Sequence, residues 1–228
     1  MRAAALAAVL ALVLAGGCAK FPSTGGGPKT KRLVFKMTVA GTLRPGYVYI
    51  VALRPSVDLN PTTQGPIPVI APPWGNGFVA GNATYFVQWD ALQSPQYNLF
   101  AFRDAQLNEW FLLGAPVNFV DVPVNGRTLQ FEVDLTQIAP TPADALLYKS
   151  IQVNFLTMDR VPQGSGGSKS WDALGNGALP SEINSYVSIP LQNAGVYDNT
   201  RFFDLEPSGD NPDPDLDIVD WSIEVRNN

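Results

Sequence analysis

The sequence predicts an all-β protein: a two-sheet antiparallel β-sandwich of jelly-roll type, with about ten strands and little helix. Three observations predict it. Apolar and polar residues alternate with period two in several separate stretches. Twenty Gly and twenty Pro punctuate the 228 residues into short elements. No long apolar stripe with period 3.6 occurs, so no amphipathic helix is expected.

Taken in chain order, the first expected strand carries Leu33, Phe35, Met37 and Val39 on one face against Arg32, Lys36 and Thr38 on the other. Tyr47 to Leu53 is apolar on both faces and is expected at the centre of a sheet. A long loop is expected over 54–83. Strands then follow at Tyr85–Trp89, Tyr97–Phe102 and Trp110–Leu113. Leu129, Phe131, Val133 and Leu135 alternate with Thr128, Gln130, Glu132 and Asp134. Ser150–Thr157 is the next strand, a second long loop spans 158–185, and Tyr186–Leu191 follows. The last strand alternates Val219, Trp221, Ile223 and Val225 with Asp220, Ser222, Glu224 and Arg226. Turn residues fill the gaps, among them Arg44-Pro-Gly46, Val124-Asn-Gly126 and Gly175-Asn-Gly177. Trp89, Trp110 and Trp221 belong to strand patterns and are expected in the core. Because the first and last strands both look core-forming, residues 30–228 are expected to make one domain.

Composition excludes several functions. Fifteen Lys and Arg stand against twenty Asp and Glu, with no basic cluster beyond Lys29-Thr-Lys-Arg32. That is no footprint for nucleic acid, which demands a dense cationic surface. Histidine is absent, which removes Ser-His-Asp and Cys-His catalysis and zinc sites of ordinary ligand type.

The first twenty residues, MRAAALAAVLALVLAGGCAK, join a basic Arg2 to an apolar run too short to span a bilayer. The end of that run, Leu14-Ala-Gly-Gly-Cys18, resembles a bacterial lipobox. The resemblance implies cleavage of residues 1–17 as a signal peptide and lipidation of Cys18, the one cysteine of the chain. Residues 18–29 are then the lipidated Cys and a flexible Gly/Ser/Thr/Pro tether. The implied location is extracytoplasmic, with the membrane as partner through the lipid anchor. Ala19 lacks the acidic inner-membrane retention signal, which favours the outer membrane in a host with two membranes.

Within the body, Arg127-Thr-Leu-Gln-Phe-Glu-Val-Asp-Leu-Thr-Gln-Ile138 and Ile151-Gln-Val-Asn-Phe155 resemble paired strands of DOMON-like and family-9-like carbohydrate-binding sandwiches. Arg32–Gly41 and Tyr47–Leu53 resemble their early strands. The acidic stretch SGDNPDPDLDIVDW (208–221) resembles the lead-in to their first strand, here at the opposite end as though circularly permuted. The resemblance implies a sugar-, haem- or matrix-binding module, and haem has no His ligand here.

Two sets of site residues stand out. Asp204, Glu206, Asp210, Asp213, Asp215, Asp217 and Asp220 fall within seventeen residues (204 to 220) that contain no Lys or Arg. Loop carboxylates at alternate positions suit a hard cation, so Asp210, Asp213, Asp215 and Asp217 are candidate ligands for a structural Ca²⁺. The alternative is a proline-stiffened, solvated entry to the last strand. The second set is Trp74, Asn76, Lys169, Trp171 and Asp172, on the two long loops. There an indole can stack on a sugar face while polar neighbours add hydrogen bonds. The alternative is a loop plug tucked onto an open end of the sandwich. Asn82-Ala-Thr84 matches a glycosylation sequon, read as chance in a bacterial lipoprotein. No spacing marks a catalytic carboxylate pair.

The expected function is therefore a lipid-anchored, extracytoplasmic, non-catalytic binding module that requires no cofactor, with carbohydrate or another envelope polymer as ligand. The alternative is a structural or assembly subunit that docks a protein partner, and the third is a glycan-active hydrolase.

Overall fold

The computed structural model describes residues 30–227 apart from 165, 180, 203 and 204; Cys18, the signal segment and the tether lie outside the described residues. Fourteen strands form in chain order: β1 Lys31–Val39, β2 Val48–Ser56, β3 Pro66–Pro68, β4 Val79–Gly81, β5 Tyr85–Trp89, β6 Tyr97–Phe102, β7 Trp110–Gly114, β8 Asn118–Val120, β9 Thr128–Asp134, β10 Ser150–Met158, β11 Trp171–Ala173, β12 Val187–Pro190, β13 Gly195–Asp198 and β14 Ile218–Asn227. All nine stretches expected as strands are strands. The five beyond them (β3, β4, β8, β11 and β13) are three or four residues long, too short for a period to show. Among the described residues, helix is confined to short turns at Leu135–Ile138, Pro142–Ala145 and Thr200–Phe202. Among the described residues no helix is long and apolar enough to cross a membrane.

The strands make an antiparallel sandwich. One sheet runs β13-β14-β1-β9-β8, and the other runs β11-β10-β2-β5-β6-β7, with β12 also paired to β10. First and last strands lie side by side, Leu33 opposite Val225, Phe35 opposite Ile223 and Met37 opposite Trp221. Those six side chains face inward, where Tyr49, Val51, Leu53, Val87, Leu99, Ile151, Val153 and Phe155 of the larger sheet meet them. Phe35 stacks on Phe131 of β9 with ring centroids 5.2 Å apart. Trp89 and Trp221 are buried in this core, as expected.

A second apolar layer covers the outer face of the larger sheet. Ile50, Ala52, Phe86, Phe102, Leu156 and Met158 project outward and are capped by Phe78, Val79 and Leu107. The β3–β4 ribbon, drawn from the expected loop 54–83, supplies much of this lid. Phe78 is its plug, with ring centroids 5.2 Å from Phe86 and 5.3 Å from Trp110. This lid is why β2 is apolar on both faces and β10 is buried on both: each is covered on either side. Trp110 differs from expectation. It sits on the edge strand β7, 41% exposed, with one side against Phe78 and the rest in solvent.

Every residue of β10 is buried. Its Asn154 faces the lid, and its Nδ2 donates to Pro66 O at 3.0 Å and Ser185 O at 2.9 Å, while Oδ1 accepts from Leu174 N at 3.1 Å. Three loops therefore hang on one amide. Asn154→Leu strands two carbonyls and one N–H in a dry interior, each costing about 1–3 kcal/mol, so unfolding free energy should fall by more than about 3 kcal/mol. Urea denaturation monitored by tryptophan fluorescence measures it.

Candidate functional site

The loop residues expected to bind ligand are brought together, but into a closed latch. Trp74 is 2% exposed and its Nε1 donates to Gly166 O at 3.0 Å. Asn76 spends its whole amide: Nδ2 donates to Val79 O and Leu107 O, and Oδ1 accepts from the N–H groups of Phe78 and Val79. Lys169 Nζ donates to Gly77 O at 2.6 Å and lies 5.9 Å from the Trp74 ring centroid. Trp171 is half-buried on β11 against the outer layer, and Asp172 beside it is buried. The Trp74 ring is thus not open for stacking, while Trp171 keeps part of its surface in solvent. The plug closes over the outer sheet face, because a large apolar ring gains most by leaving water.

The acidic segment is likewise dispersed. Asp213 Oδ2 accepts from Tyr47 Oη at 2.8 Å, and its Oδ1 accepts from Asp215 N at 3.0 Å. Asp215 accepts from Thr42 N at 2.7 Å and pairs with the Arg44 guanidinium. Asp217 takes the Gly209 N–H on both oxygens, at 2.9 and 3.0 Å. These three carboxylates bind their own chain, so the expected ligand set of four is not assembled. Asp210 lies against the Asp217 carboxyl and turns to two acids outside that set.

Asp210 joins Asp172 and Glu206, with one oxygen from each within 4.8 Å of the others. A short backbone spine holds all three. Ala173 N donates to Asp172 Oδ1 at 3.0 Å, Gly175 N to Glu206 Oε2 at 3.1 Å and Gly177 N to Asp210 Oδ2 at 2.6 Å. Asp172 Oδ2 also accepts from Ile218 N at 2.7 Å, at the first residue of β14. Burial pushes the Asp172 carboxyl up to about 8, with the Asp210 charge adding to it. Glu206 is pushed up to about 12, by burial first and then by Asp172 and Asp210. Burial also raises Asp210, against the Gly177 N–H. Glu206 is not among the four expected ligands. Its one sign in the sequence is position: an acid between Leu205 and Pro207 inside the acidic run.

A different surface offers open chemistry. On the outer face of the larger sheet, past the edge of the lid, Gln88, Asp90, Gln93, Asn98, Phe100 and Leu112 line a cleft of about 280 Å³. Gln88 of β5 stands opposite Asn98 of β6, and Phe100 opposite Leu112 of β7. Phe100 is fixed by stacking on Phe86, centroids 4.8 Å apart. Asn98 makes one long bond, Nδ2 to Pro95 O at 3.4 Å, and Gln88 and Gln93 make no side-chain hydrogen bond among the described residues. A larger hollow of about 440 Å³ at the end of the sandwich includes Arg44 and Gln96. Both are committed there, Arg44 to Asp215 and Gln96 Oε1 to Trp89 Nε1 and Val122 N.

No family model, no curated protein and no solved structure matches the chain.

The half-buried Lys169 gives this region a pH signature. Burial draws its ammonium down to about 8 from an ordinary 10.5, with Asp159 partly opposing. Between those values the unfolded chain holds a proton that the folded chain has released. Lys169 therefore contributes stability that rises from pH 8 to 10.5 and is fully lost once pH has fallen to 8, with a slope of at most about 1.4 kcal/mol per pH unit, while the protonated Glu206 contributes in the opposite sense over the same window. Lys169→Met should remove that slope, and chemical denaturation of both proteins across pH 7–11 checks the difference.

Proposed function

We propose that this chain is a lipid-anchored, extracytoplasmic, non-catalytic module that binds neutral carbohydrate in the cleft on the outer face of the larger sheet. One observation carries the reading: two uncommitted amides, Gln88 and Gln93, with the nearly uncommitted Asn98, border the apolar side chains of Phe100 and Leu112. An amide offers a donor pair and an acceptor, which matches a sugar hydroxyl. An aromatic edge with an aliphatic neighbour suits the C–H face of the same ring. The volume lies near the lower bound for small-ligand sites, which favours one or two sugar units. Among the described residues Asp90 is the single carboxylate on the cleft, whereas ordinary glycoside hydrolysis takes two, and this supports binding over cleavage.

Binding to a glycan array of the detergent-solubilised chain tests the proposal. Gln88→Ala and Asn98→Ala should each weaken retention about tenfold, the worth of one hydrogen bond, while Trp74→Ala leaves the cleft contacts in place. Failure to retain any neutral glycan would overturn it. Attachment has its own test: Cys18→Ser should abolish incorporation of labelled fatty acid and release the chain from membranes.

A second reading, an assembly subunit that docks a protein partner, draws support from β7. Trp110, Phe111, Leu112 and Leu113 are all exposed on this edge strand, with Val117 and Val120 exposed close behind. Residues 104–126 contain no Lys or Arg, and the cation that meets this edge is Arg103, whose guanidinium lies 4.9 Å from the Phe111 ring centroid. A partner strand would add to β7. Phe111→Lys with Leu113→Lys, on the strand face opposite Leu112, should abolish such docking while leaving glycan retention intact. Loss of glycan retention in that variant would assign the two activities to one surface.

A further inference from the structure

We propose that Asp172, Glu206 and Asp210 form a calcium site that clasps the two sheets together where β14 begins. The proposal is independent of the carbohydrate reading. Acidic clusters are common on protein surfaces, but in this one Asp172 and Glu206 are buried and Asp210 is half-buried. Glu206 is 1% exposed, and its Oε1 is shielded from solvent with no hydrogen-bond partner. Asp210 Oδ1 is also shielded and unpartnered. The backbone spine Ala173–Gly177 holds one oxygen of each side chain, leaving these two oxygens with no protein donor to receive. A buried acceptor without a donor costs the desolvation of that group, and more so for a charged one. No Lys or Arg forms an ion pair with any of the three among the described residues.

The donor set selects the ion. Three carboxylates present only oxygen, so the ion is hard, and thiol- or imidazole-seeking metals are disfavoured. The chosen oxygens lie within 4.8 Å of one another. Two oxygens on opposite sides of one calcium are about 4.6–5.2 Å apart, against about 4.0–4.2 Å for magnesium, at their ordinary bond lengths. Separations bounded at 4.8 Å put all three oxygens within reach of one ion of calcium's size, and magnesium, which keeps several waters, suits a cradle made of protein oxygens less. Gly177 belongs to the same cradle: a Cβ there would stand 3.2 Å from Asp210 Oδ2 and 3.5 Å from Asp172 Oδ1. A bare backbone lets both carboxylates approach. Because Asp172 is on β11 of the larger sheet and also accepts from Ile218 N of β14 in the smaller one, an ion here ties the sheets through the loop 205–217.

The test is thermal unfolding and calorimetric titration of the full chain in detergent at pH 7.5, first with EDTA and then with calcium chloride. At one hundred times the dissociation constant, calcium should raise Tm by about 5–10 °C, and magnesium should raise it less. Glu206→Gln keeps an acceptor for Gly175 N and gains donors toward its neighbours. It should therefore match or exceed the parent Tm in EDTA while losing the calcium shift, and Asp210→Asn should lose it as well. Three outcomes overturn the proposal: no heat and no Tm shift at millimolar calcium; a shift that survives in both variants; or a magnesium shift as large as that of calcium.

Discussion

Strand β10 is the constraint on which the rest of the molecule depends. It runs through the larger sheet with both faces covered, so any polar side chain on it must find a partner in protein. Each one does, and most of the partners lie on loops; Gln152 also accepts from Arg54 of β2, and Asn154 donates to Pro66 of β3. Ser150 Oγ donates to Asp58 O at 2.6 Å, Gln152 Nε2 to Thr63 O at 3.0 Å and Thr157 Oγ1 to Leu216 O at 2.6 Å. Asn154 holds 66, 174 and 185 in the same way. The apolar residues of β10 join the two cores, while its polar ones fix the loops that dress the sandwich. A strand of pure Val and Ile would pack as well but would leave those loops without a register.

Both candidate sites follow from that arrangement. The loop pinned by Ser150, Gln152 and Asn154 spreads over β10 and β2 as a lid, and Phe78 extends it to β6 and the edge of β7. Where the lid stops, the outer face of β5, β6 and β7 remains open and polar, and the cleft at Gln88 and Asn98 is that uncovered remainder. On the other side, Thr157 and Asn154 fix Leu216 and Leu174 and so bring the loop 205–217 against the spine Ala173–Gly177. The carboxylate cluster forms at this junction. One polar ladder thereby leaves a wet surface on one flank and a closed acidic pocket on the other.

Charge is sorted by the same geometry. Asp213, Asp215 and Asp217 sit at alternate positions, which in an extended chain would aim them together. In the turn they actually form, each caps a neighbouring N–H or meets Arg44 or Tyr47, because Asp side chains satisfy local backbone more cheaply than they tolerate one another. Asp210 and Glu206 have no such local donor for their second oxygens. The acids that face each other are those the loop could not satisfy by itself.

Period-two alternation made the long strands legible, since one wet face and one dry face leave their mark on every second residue. The doubly apolar Tyr47–Leu53 gave its central place away for the same reason. Sequence by itself thus determined the all-β class, nine of the strands, the pairing-competent ends of the chain and the absence of imidazole chemistry. It also marked the acidic run and the loop tryptophans as unusual. It could not say where they point. The sequence left Trp74 and Asn76 open between a sugar-stacking platform and a loop plug, and the packing of that loop onto the outer sheet turned them inward. Trp110 read as core because it lies in a strand, and only the position of β7 at an edge turned it outward. The cluster joins residues 172, 206 and 210 across two loops, and no local spacing encodes such a meeting. Burial and long-range contact are properties of the assembled sheets, whereas periodicity is a property of each strand alone; that difference divides what was read from what had to be seen.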